Sequence, residues 1–373
     1  MTTRPTTAAP RAVLTGAGQA LPAPMDQQGL WDGFFREHYA DARLARKVWQ
    51  SSGITTRRGV VDPSQEDISE WGTAARMERF LAEAMPLGKE AVSSALAAAG
   101  LAASDVGLLT VVSCTGYVTP GLDILLARDL GMTNEVQRLH IGHMGCYAAL
   151  PGLGATADFV VARERPAVLL CVELTSLHVQ PTTETARAGK PTDSDLQQMV
   201  SHALFSDAAA AVVLEPGGPG LGDGPADGWS VVDTVARTDV STADHMTWDV
   251  TDLGFKMGLS PAVPKVLARH ARPVVEALLA RHGLDVPDVA GWAVHPGGRK
   301  IVEVVGEVLS LSPEQLEPSF GVLRDVGNCS SATVLLVLER LRSQGEVPVG
   351  GHVVAMAFGP GLTLYATLLR RER

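Results

Sequence analysis

Residues 100–114 read GLAASDVGLLTVVSC, and residues 283–297 read GLDVPDVAGWAVHPG. Each stretch begins with a Gly-Leu pair that ends a periodic, helix-like segment, and each continues through Asp-Val into an apolar run typical of a buried strand. The two stretches lie 183 residues apart, and the same offset places Cys146 on Cys329. Because one offset relates several helix–glycine–strand units, the sequence predicts an internal duplication.

The duplication leads to a predicted domain organisation. The stretch that follows each of the two cysteines again has the pattern of a helix and then a strand. We therefore predict two similar α/β halves, residues 12–220 and residues 225–373, after a disordered N-terminus of residues 1–11. The Gly/Pro-rich stretch EPGGPGLGDGPADG, residues 215–228, is the predicted junction between the halves.

Composition excludes several classes of protein. The 373 residues are 46% hydrophobic, which is ample for a large core, and the net charge of -10 argues against a general nucleic-acid binder. No apolar run is long enough to span a bilayer, and the N-terminal residues MTTRPTTAAPRA lack the apolar segment of a signal peptide. The four cysteines form no CxxC pair, which argues against a zinc site and for reduced thiols. The sequence thus predicts a soluble cytoplasmic protein with no metal, no membrane and no nucleic acid as partners.

Three residues stand in settings that suit chemistry. Cys146, in HMGCYAALPGL, opens a helix of small residues, where unpaired N–H groups favour a thiolate. His295, in WAVHPGGRKI, ends an apolar strand, and α/β folds place catalytic groups at that end. Asn328, in DVGNCSSAT, lies at the start of a helix. Each has an alternative interpretation, namely a buried packing cysteine, a structural histidine and a helix N-cap.

Taken together, Cys146, His295 and Asn328 form a set that one reaction needs. The cysteine would carry an acyl group as a thioester, with an imidazolium partner that holds the thiolate. Decarboxylation of a malonyl thioester then develops an enolate oxygen, and the imidazole and the amide would stabilise that charge as donors. A carboxylate in place of Asn328 would repel the enolate, so the amide is required.

The chain resembles the type III polyketide synthases, the chalcone synthase family within the thiolase-like condensing enzymes, over nearly its whole length. The resemblance implies an α/β fold of the thiolase-like duplicated five-layered αβαβα kind. It also implies a homodimer that uses acyl-CoA and malonyl-CoA directly and needs no metal or redox cofactor. The matching motifs are GCYAALPGL, ALFSDAAAAVVL, VHPGGRKI, GNCSSATVLLVLE and AFGPGLTLY.

The same resemblance implies a set of substrate-binding residues. Phe205 falls on a gatekeeper phenylalanine between the CoA tunnel and an inner cavity, and Met257 replaces the second gatekeeper. Cys114 occupies a cavity-lining position and is expected to act sterically rather than as a nucleophile. Thr175 matches a lining threonine. His178 replaces a small polar lining residue, with a hydrogen-bonded loop histidine as the alternative.

Further positions in the resemblance concern CoA and the serines after Asn328. Ser330, in the GNCSS motif, belongs to the expected substrate-binding set. Lys47 and Arg58 are the leading candidates for the CoA phosphates, with a solvated helix face as the alternative. The remaining basic candidates are Arg43, Arg46 and Arg57.

Three functions are compatible with these motifs. The first is a type III polyketide synthase that extends an acyl-CoA starter with malonyl-CoA by decarboxylative Claisen condensation and cyclises the product to a pyrone or a phenol. The second is a ketoacyl-ACP synthase III-type enzyme that condenses once onto a carrier protein, and the third is a decarboxylating or inert partner subunit. The HPGG setting of His295 and the setting of Phe205 favour the first, and the retention of all three catalytic residues argues against the third.

Overall fold

The computed structural model describes residues 10–217, 228–260 and 262–372. The strands of this part of the chain are β1 Arg11–Ala20, β2 Pro24–Asp26, β3 Thr56–Arg58, β4 Leu108–Val112, β5 Gln137–Ile141, β6 Ala167–Leu174, β7 Asp207–Gly217, β8 Trp229–Thr238, β9 Met246–Thr251, β10 Gly254–Leu259, β11 Val289–Val294, β12 His352–Gly359 and β13 Thr363–Arg371. The helices are α1 Gln27–Leu30, α2 Arg36–His38, α3 Arg43–Gln50, α4 Thr73–Ala99, α5 Leu122–Leu130, α6 Ala149–Arg163, α7 Glu184–Arg187, α8 Asp193–Leu204, α9 Val263–Ala280, α10 Arg299–Leu309, α11 Pro313–Asp325 and α12 Ala332–Gln344.

One nine-stranded mixed sheet has the order β11-β12-β13-β8-β1-β7-β6-β4-β5. Strands β1 and β8 pair in its middle, with Ala12 opposite Val231. Outward from this pair, the strands on one side follow in the order β1-β7-β6-β4 and those on the other side in the order β8-β13-β12-β11. In each set the strand that comes first in the chain is central, the one that comes last lies next to it, and the other two follow in reverse chain order. The repeat extends to single turns, because 3-10 turns at Ala103–Asp105 and Val286–Asp288 lie 183 residues apart and lead into β4 and β11. This is the strand order that the predicted duplication requires.

The buried side chains divide the molecule into layers. Helices α6 and α12 share one core cluster with strand residues from both halves of the sheet, so these two helices form the central layer. Helices α4 and α5 pack on the outer face of the first half, and α9 and α10 pack on the outer face of the second. Two sheet halves between three helical layers give the expected αβαβα arrangement.

Several predicted boundaries differ from the observed ones. The helix that ends before Gly100 begins at Thr73, well before the Ala-rich segment that signalled it. The N-terminal strand begins at Arg11, one residue before the predicted boundary. Residues 1–9 of the predicted disordered segment, and residues 218–227 of the predicted junction, lie outside the described residues.

One segment, Gly145–Arg163, is long and apolar enough to cross a membrane by length and composition. More than half of it is buried inside the protein, where α6 belongs to the central layer. Its apolar character is therefore explained by packing against both halves of the sheet.

Candidate active site

Cys146 lies where the two halves of the chain meet. It sits in a 3-10 turn, Gly145–Tyr147, that leads into α6, so the thiol is near the start of a buried helix as the sequence predicts. Gly145 has a φ of 71°, and a Cβ at this position would lie 2.4 Å from Cδ of Pro360. Only glycine fits here, because the turn packs directly against the loop after β12, which belongs to the second half.

Burial dominates the electrostatics of the Cys146 thiol. The side chain is almost fully enclosed, and burial raises the pKa of the thiol to about 12, although a hydrogen bond with Ser330 acts in the opposite direction. A backbone N–H at the start of the helix also lowers the pKa of Cys146, in the direction expected from the sequence, but the effect of burial is larger. A thiolate at this site needs a neighbouring base or cation.

His295 supplies a base that is held in place by its backbone. It follows β11 directly, as predicted, and its N–H donates to the carbonyl of Met356 at 2.8 Å. The fully buried ring lies edge-on to Phe358, with the centroids 5.8 Å apart. Neither ring nitrogen has a hydrogen-bond partner among the described residues, and burial lowers the pKa of His295 to about 3. Such a buried, unpartnered imidazole is costly unless a thiol or a substrate uses it.

Replacing His295 with glutamine is expected to shift the alkylation of Cys146 by iodoacetamide to higher pH. Without a proton acceptor beside it, the thiolate loses its stabilising charge, and a rise of one unit in the pKa of Cys146 slows alkylation at neutral pH about tenfold. The measurement is the modified fraction of the Cys146 peptide, by mass spectrometry, as a function of pH. Asn328→Ala, which removes an uncharged side chain from the same cavity, is the control, and its pH profile of Cys146 alkylation should match that of the wild type. An unshifted profile for His295→Gln would contradict the assignment of the base.

Asn328 is oriented by its own loop and is not a helix cap. Helix α12 begins at Ala332 with Ser331 as its N-cap, so the capping interpretation is wrong. The Oδ1 atom of Asn328 accepts the backbone N–H of Ser330 at 2.9 Å, which directs Nδ2 to the opposite side. There Nδ2 donates one hydrogen to the carbonyl of Gly297 at 3.3 Å, two residues after His295. The second N–H remains for an oxyanion beside the imidazole.

Cys146, His295 and Asn328 line one cavity of about 330 Å³. The sequence prediction that these three residues come together therefore agrees with the geometry. Most of the cavity wall is apolar and comes from α3, α8, β10 and α9. The apolar wall residues are Val48, Leu196, Val200, Leu204, Phe205, Met246, Met257, Leu259, Val263, Pro264, Ile301 and Phe358.

Phe205 and Met257 separate this outer cavity from the interior. Both residues line the outer cavity, a void of about 20 Å³ beside Cys114, and a void of about 40 Å³ beside His178. Phe205 is also tied to the catalytic loop, because the backbone of Asn328 accepts from Ser206 at 2.9 Å and donates to Leu204 at 3.1 Å. Both residues therefore lie where the three spaces meet, and their role as gatekeepers stays a prediction.

Cys114 is held as a thiol by a buried carboxylate. Its Sγ donates to Oε1 of Glu173 at 3.2 Å, and burial, with Glu173 next to it, raises the pKa of Cys114 well above the usual range. Glu173 also accepts from Thr115 at 2.9 Å and from Ser331 at 2.5 Å, so it joins β6 to the loop that carries Asn328. Sequence reasoning missed Glu173, whose signal is a lone acid in the apolar strand AVLLCVEL.

Replacing Cys114 with serine is expected to change the product distribution or rate and to leave acylation at Cys146 intact. A hydroxyl can still donate to Glu173, whereas the smaller oxygen changes the shape of the void that Cys114 lines. Peptide mapping after incubation with a labelled acyl-CoA measures where the acyl group resides. Label on Cys114 in the wild-type protein would contradict the assignment of Cys146 as nucleophile.

Thr175 and His178 border the inner voids, but the polar atoms of both side chains form hydrogen bonds within the protein. Thr175 donates to the carbonyl of Ser206 at 2.8 Å. His178 accepts the N–H of Phe255 at Nδ1 (3.0 Å) and donates from Nε2 to the carbonyl of Thr115 at 2.7 Å. Burial lowers the pKa of His178 to about 4. The structure thus favours the hydrogen-bonded loop histidine, which anchors the β9–β10 hairpin.

The structure corrects part of the predicted CoA patch. Arg57 is buried, lies 4.9 Å from the ring centroid of Trp49, and donates to the carbonyl of Phe205 at 3.0 Å, so it is a packing residue. Arg58 lines the 40 Å³ void and not the cavity with Cys146, and its guanidinium donates to the carbonyl of Pro22 at 3.4 Å. Arg46 is paired with Asp41.

Other basic residues lie at the outer cavity. Lys47 is exposed on α3, next to Val48, which lines the cavity, and Arg43 is exposed on the same helix. Arg299 and Lys300, at the start of α10, line the cavity directly. Sequence reasoning missed these two, although they follow the HPGG motif immediately. In the described part of the chain, no group of three or more His, Cys, Asp or Glu side chains is arranged to hold a metal ion.

Comparisons with known proteins agree with this geometry. Residues 1–218 match the N-terminal domain of chalcone and stilbene synthases, and residues 233–372 match the C-terminal domain. The chain is 35% identical to 1,3,6,8-tetrahydroxynaphthalene synthase of Streptomyces peucetius subsp. caesius, over 89% of this chain and 84% of that protein. It is 32% identical to the alpha-pyrone synthesis polyketide synthase-like protein of Mycobacterium tuberculosis, over 86% and 81%.

A solved structure shows the same fold. The crystal structure of 1,3,6,8-tetrahydroxynaphthalene synthase from Streptomyces coelicolor, a bacterial type III polyketide synthase, has a TM-score of 0.87 and 27% identity. The match covers 97% of this chain and 99% of that chain. The thiolase-like α/β fold predicted from the sequence is therefore confirmed.

Proposed function

Because the chain belongs to the chalcone and stilbene synthase family and is a type III polyketide synthase, we propose that Cys146, His295 and Asn328 carry out its reaction with acyl-CoA and malonyl-CoA. The observation that carries the assignment is the meeting of three enclosed groups at one cavity: a thiol, an unpartnered imidazole and an amide with a free N–H. A ketoacyl-ACP synthase III-type enzyme would use the same three groups, and what favours the polyketide synthase over it is the match of both parts of the chain to the chalcone and stilbene synthase family.

Acylation comes first. The Sγ atom of Cys146 attacks the thioester carbonyl of the starter acyl-CoA, and His295 takes the thiol proton as the bond forms. Burial disfavours an isolated thiolate and an isolated imidazolium. Because the proton moves from Cys146 to His295, the two charges form together and the net charge of the site does not change. The C–S bond to CoA then breaks, CoA leaves as a thiol with the proton, and the acyl group stays on Cys146.

Extension follows at the same cavity. Malonyl-CoA loses CO₂, and the electron pair of the broken C–C bond forms an enolate whose oxygen accepts hydrogen bonds from His295 and Asn328. The enolate carbon attacks the acyl thioester, a new C–C bond forms, and the sulfur of Cys146 leaves. Since these two donors stabilise the oxyanion, the step needs no metal and no redox cofactor.

The outer cavity favours an aliphatic starter. Its walls are mainly branched and unbranched aliphatic side chains, and Met257 stands where a rigid ring is expected. Methionine is flexible and can move aside for an alkyl chain. At the cavity, Arg299 and Lys300, each of which also pairs with Glu303, are positioned to meet the phosphates of CoA, together with Lys47 on α3.

Replacing Met257 with phenylalanine is expected to lower kcat/KM for long acyl-CoA starters more than for acetyl-CoA. A ring at this position takes space from the outer cavity that Met257 lines, and one methylene of discrimination in an apolar pocket is worth about 1–3 kcal/mol. Steady-state rates with a homologous series of acyl-CoAs provide the measurement. If acetyl-CoA and a long acyl-CoA lose activity equally, Met257 does not select chain length.

The proposal includes a cytoplasmic homodimer. Strand β5 ends the sheet, pairs with β4, and is exposed along nearly its whole length, with Leu139 among its exposed residues. An uncovered edge strand invites pairing, and a two-fold axis beside β5 would continue the sheet into a second copy. All four cysteines are free thiols, which suits a reducing compartment. Sedimentation analysis should give twice the chain mass, and a monomer would contradict the dimer.

One experiment tests the function as a whole. The purified protein is incubated with malonyl-CoA and a panel of aliphatic and aromatic acyl-CoAs, and the products are identified by mass. Pyrones or phenols that contain the starter and two or more malonyl-derived units support the proposal. A single condensation product, formed only with an acyl carrier protein, would overturn it.

A further inference from the structure

Helix α8 ends beside the loop that carries Asn328, and each carbonyl of its last turn has a defined partner. The carbonyl of Ser201 accepts the N–H of Phe205 at 3.1 Å, directly after the helix. The next three carbonyls have no partner within the helix, as is general at a helix C-terminus. Their donors are the Arg57 guanidinium for His202, the Gln27 amide at 2.9 Å for Ala203, and the Asn328 backbone N–H at 3.1 Å for Leu204. Distant segments of the chain therefore fix the end of α8.

Arg57 holds this end of the helix at two points. Its Nη1 atom donates to the carbonyl of His202 and, at 3.0 Å, to the carbonyl of Phe205. A cation at a helix C-terminus also meets the negative end of the helix dipole. Because one nitrogen bonds to carbonyls three residues apart, Arg57 fixes the direction in which the chain leaves α8.

The surroundings of the Arg57 guanidinium are aromatic. Arg57 is 5% exposed, and its guanidinium lies 4.9 Å from the ring centroid of Trp49 and 5.9 Å from that of Phe35. Its Nε atom has no hydrogen-bond partner among the described residues. Burial of such a cation costs free energy, whereas an apolar side chain of similar length could fill the same space. What an apolar side chain could not supply is the pair of hydrogen bonds to the end of α8.

The segment that Arg57 holds is bonded to the backbone of Asn328. The N–H of Ser206 donates to the carbonyl of Asn328 at 2.9 Å, and the N–H of Asn328 donates to the carbonyl of Leu204 at 3.1 Å. Phe205 and Asn328 thereby form an isolated parallel bridge. Both backbone polar groups of Asn328 are thus bonded to the residues that flank Phe205, so a shift at the end of α8 also moves the Asn328 amide.

We propose that Arg57 is a positioning residue for decarboxylation, and that it holds the Asn328 amide in place through the end of α8. The inference rests on the proposed function, in which Asn328 donates to the enolate oxygen. Arg57 borders the 40 Å³ void and does not line the cavity that contains Cys146, so it acts on the enolate only through the bridge. Cys146 and His295 lie on other elements, and their proton transfer does not depend on Arg57.

A double-mutant cycle tests the inference, with CO₂ release from malonyl-CoA as the measured rate. Arg57→Met keeps an unbranched side chain and removes both hydrogen bonds to α8. Because a misplaced donor loses much of its effect, we expect kcat to fall about 10- to 100-fold, with a smaller change in KM. In the Asn328→Ala background the same substitution should lower the rate by less than about twofold, since the amide that Arg57 positions is already absent.

Arg76→Met is the matched control. Arg76 is a second buried arginine, and it donates to the carbonyls of Ile68 and Trp71, each at 2.8 Å, away from the end of α8. Its substitution should change the rate by the same factor with and without the Asn328 amide. Arg57→Lys keeps a cationic donor and should recover part of the rate that Arg57→Met loses. The pH profile of Cys146 alkylation should remain that of the wild type in Arg57→Met, which shows that the variant is folded.

Two results would overturn the inference. If Arg57→Met lowers decarboxylation by the same factor in the wild type and in Asn328→Ala, Arg57 does not act through the amide. If Arg57→Met releases CO₂ as fast as the wild type, the amide needs no anchor at the end of α8. The same two criteria apply to Arg57→Lys if the methionine variant does not fold. Failure of the proposed function differs from both results, because Asn328→Ala alone would then retain the wild-type rate of decarboxylation.

Discussion

Cys146→Ala is expected to reduce polyketide formation to background and to leave a substantial rate of malonyl-CoA decarboxylation. The variant removes the one thiol among the described residues that line this cavity, whereas the two oxyanion donors, His295 and Asn328, stay in place. Loss of a covalent nucleophile typically removes several orders of magnitude in rate, so product should fall by about 10³-fold or more. Decarboxylation should stay within about tenfold of the wild type because its enolate is stabilised by the remaining pair.

The measurement follows CO₂ release and polyketide products in the same reaction. Cys114 cannot replace the missing nucleophile, since its half-buried thiol donates to the Glu173 carboxylate, and desolvation and that carboxylate both raise the pKa of the thiol. Asn328→Ala serves as the matched control, because it should lose decarboxylation and polyketide formation together. Equal loss of decarboxylation in Cys146→Ala and Asn328→Ala would contradict this division of roles.

The parts of the site that sequence predicted share a simple local signal. Cys146 lies before a helix of small residues, and His295 follows a strand, so local patterns placed both at element ends where side chains meet. The internal repeat predicted two similar halves, and the meeting of Cys146, His295 and Asn328 was inferred from the one reaction that needs all three and from the family resemblance. Local patterns could not predict the orientation of the Asn328 amide, because that orientation depends on a hydrogen bond from the N–H of Ser330 in the folded loop.

The parts that sequence missed depend on pairing between distant segments. Trp248 reaches the interior only because the β9–β10 hairpin folds over the loop after β4, and nothing near Trp248 in the chain signals that contact. Arg57 and Arg58 are neighbours on a short strand, and their charges suggested a CoA patch. Packing against Trp49 and the Phe205 carbonyl turned Arg57 into a buried structural residue. Charge indicates what a side chain can bind, but the fold decides where it points.

Replacing Asn328 with aspartate is expected to damage decarboxylation more than replacing it with alanine. Alanine removes one oxyanion donor, which typically costs about 10²–10³ in rate. Aspartate has nearly the same shape, and one carboxylate oxygen can keep the contact with the Ser330 N–H. The other oxygen then takes the place of Nδ2 and faces the enolate with a negative charge. At neutral pH the variant therefore adds repulsion to the loss of a donor.

The pH dependence of Asn328→Asp separates repulsion from a simple loss of packing. Asn328 is almost fully buried, and burial of a carboxyl group raises its pKa, so an aspartic acid here is ionised above a raised pKa and neutral below it. The neutral acid carries an O–H that can donate to the enolate oxygen. The decarboxylation rate of Asn328→Asp relative to Asn328→Ala should therefore rise as the pH falls and decline as the pH increases. If the ratio of these two decarboxylation rates does not change with pH, the amide of Asn328 does not face the developing charge. The same conclusion follows if Asn328→Asp is as active as the wild type at neutral pH.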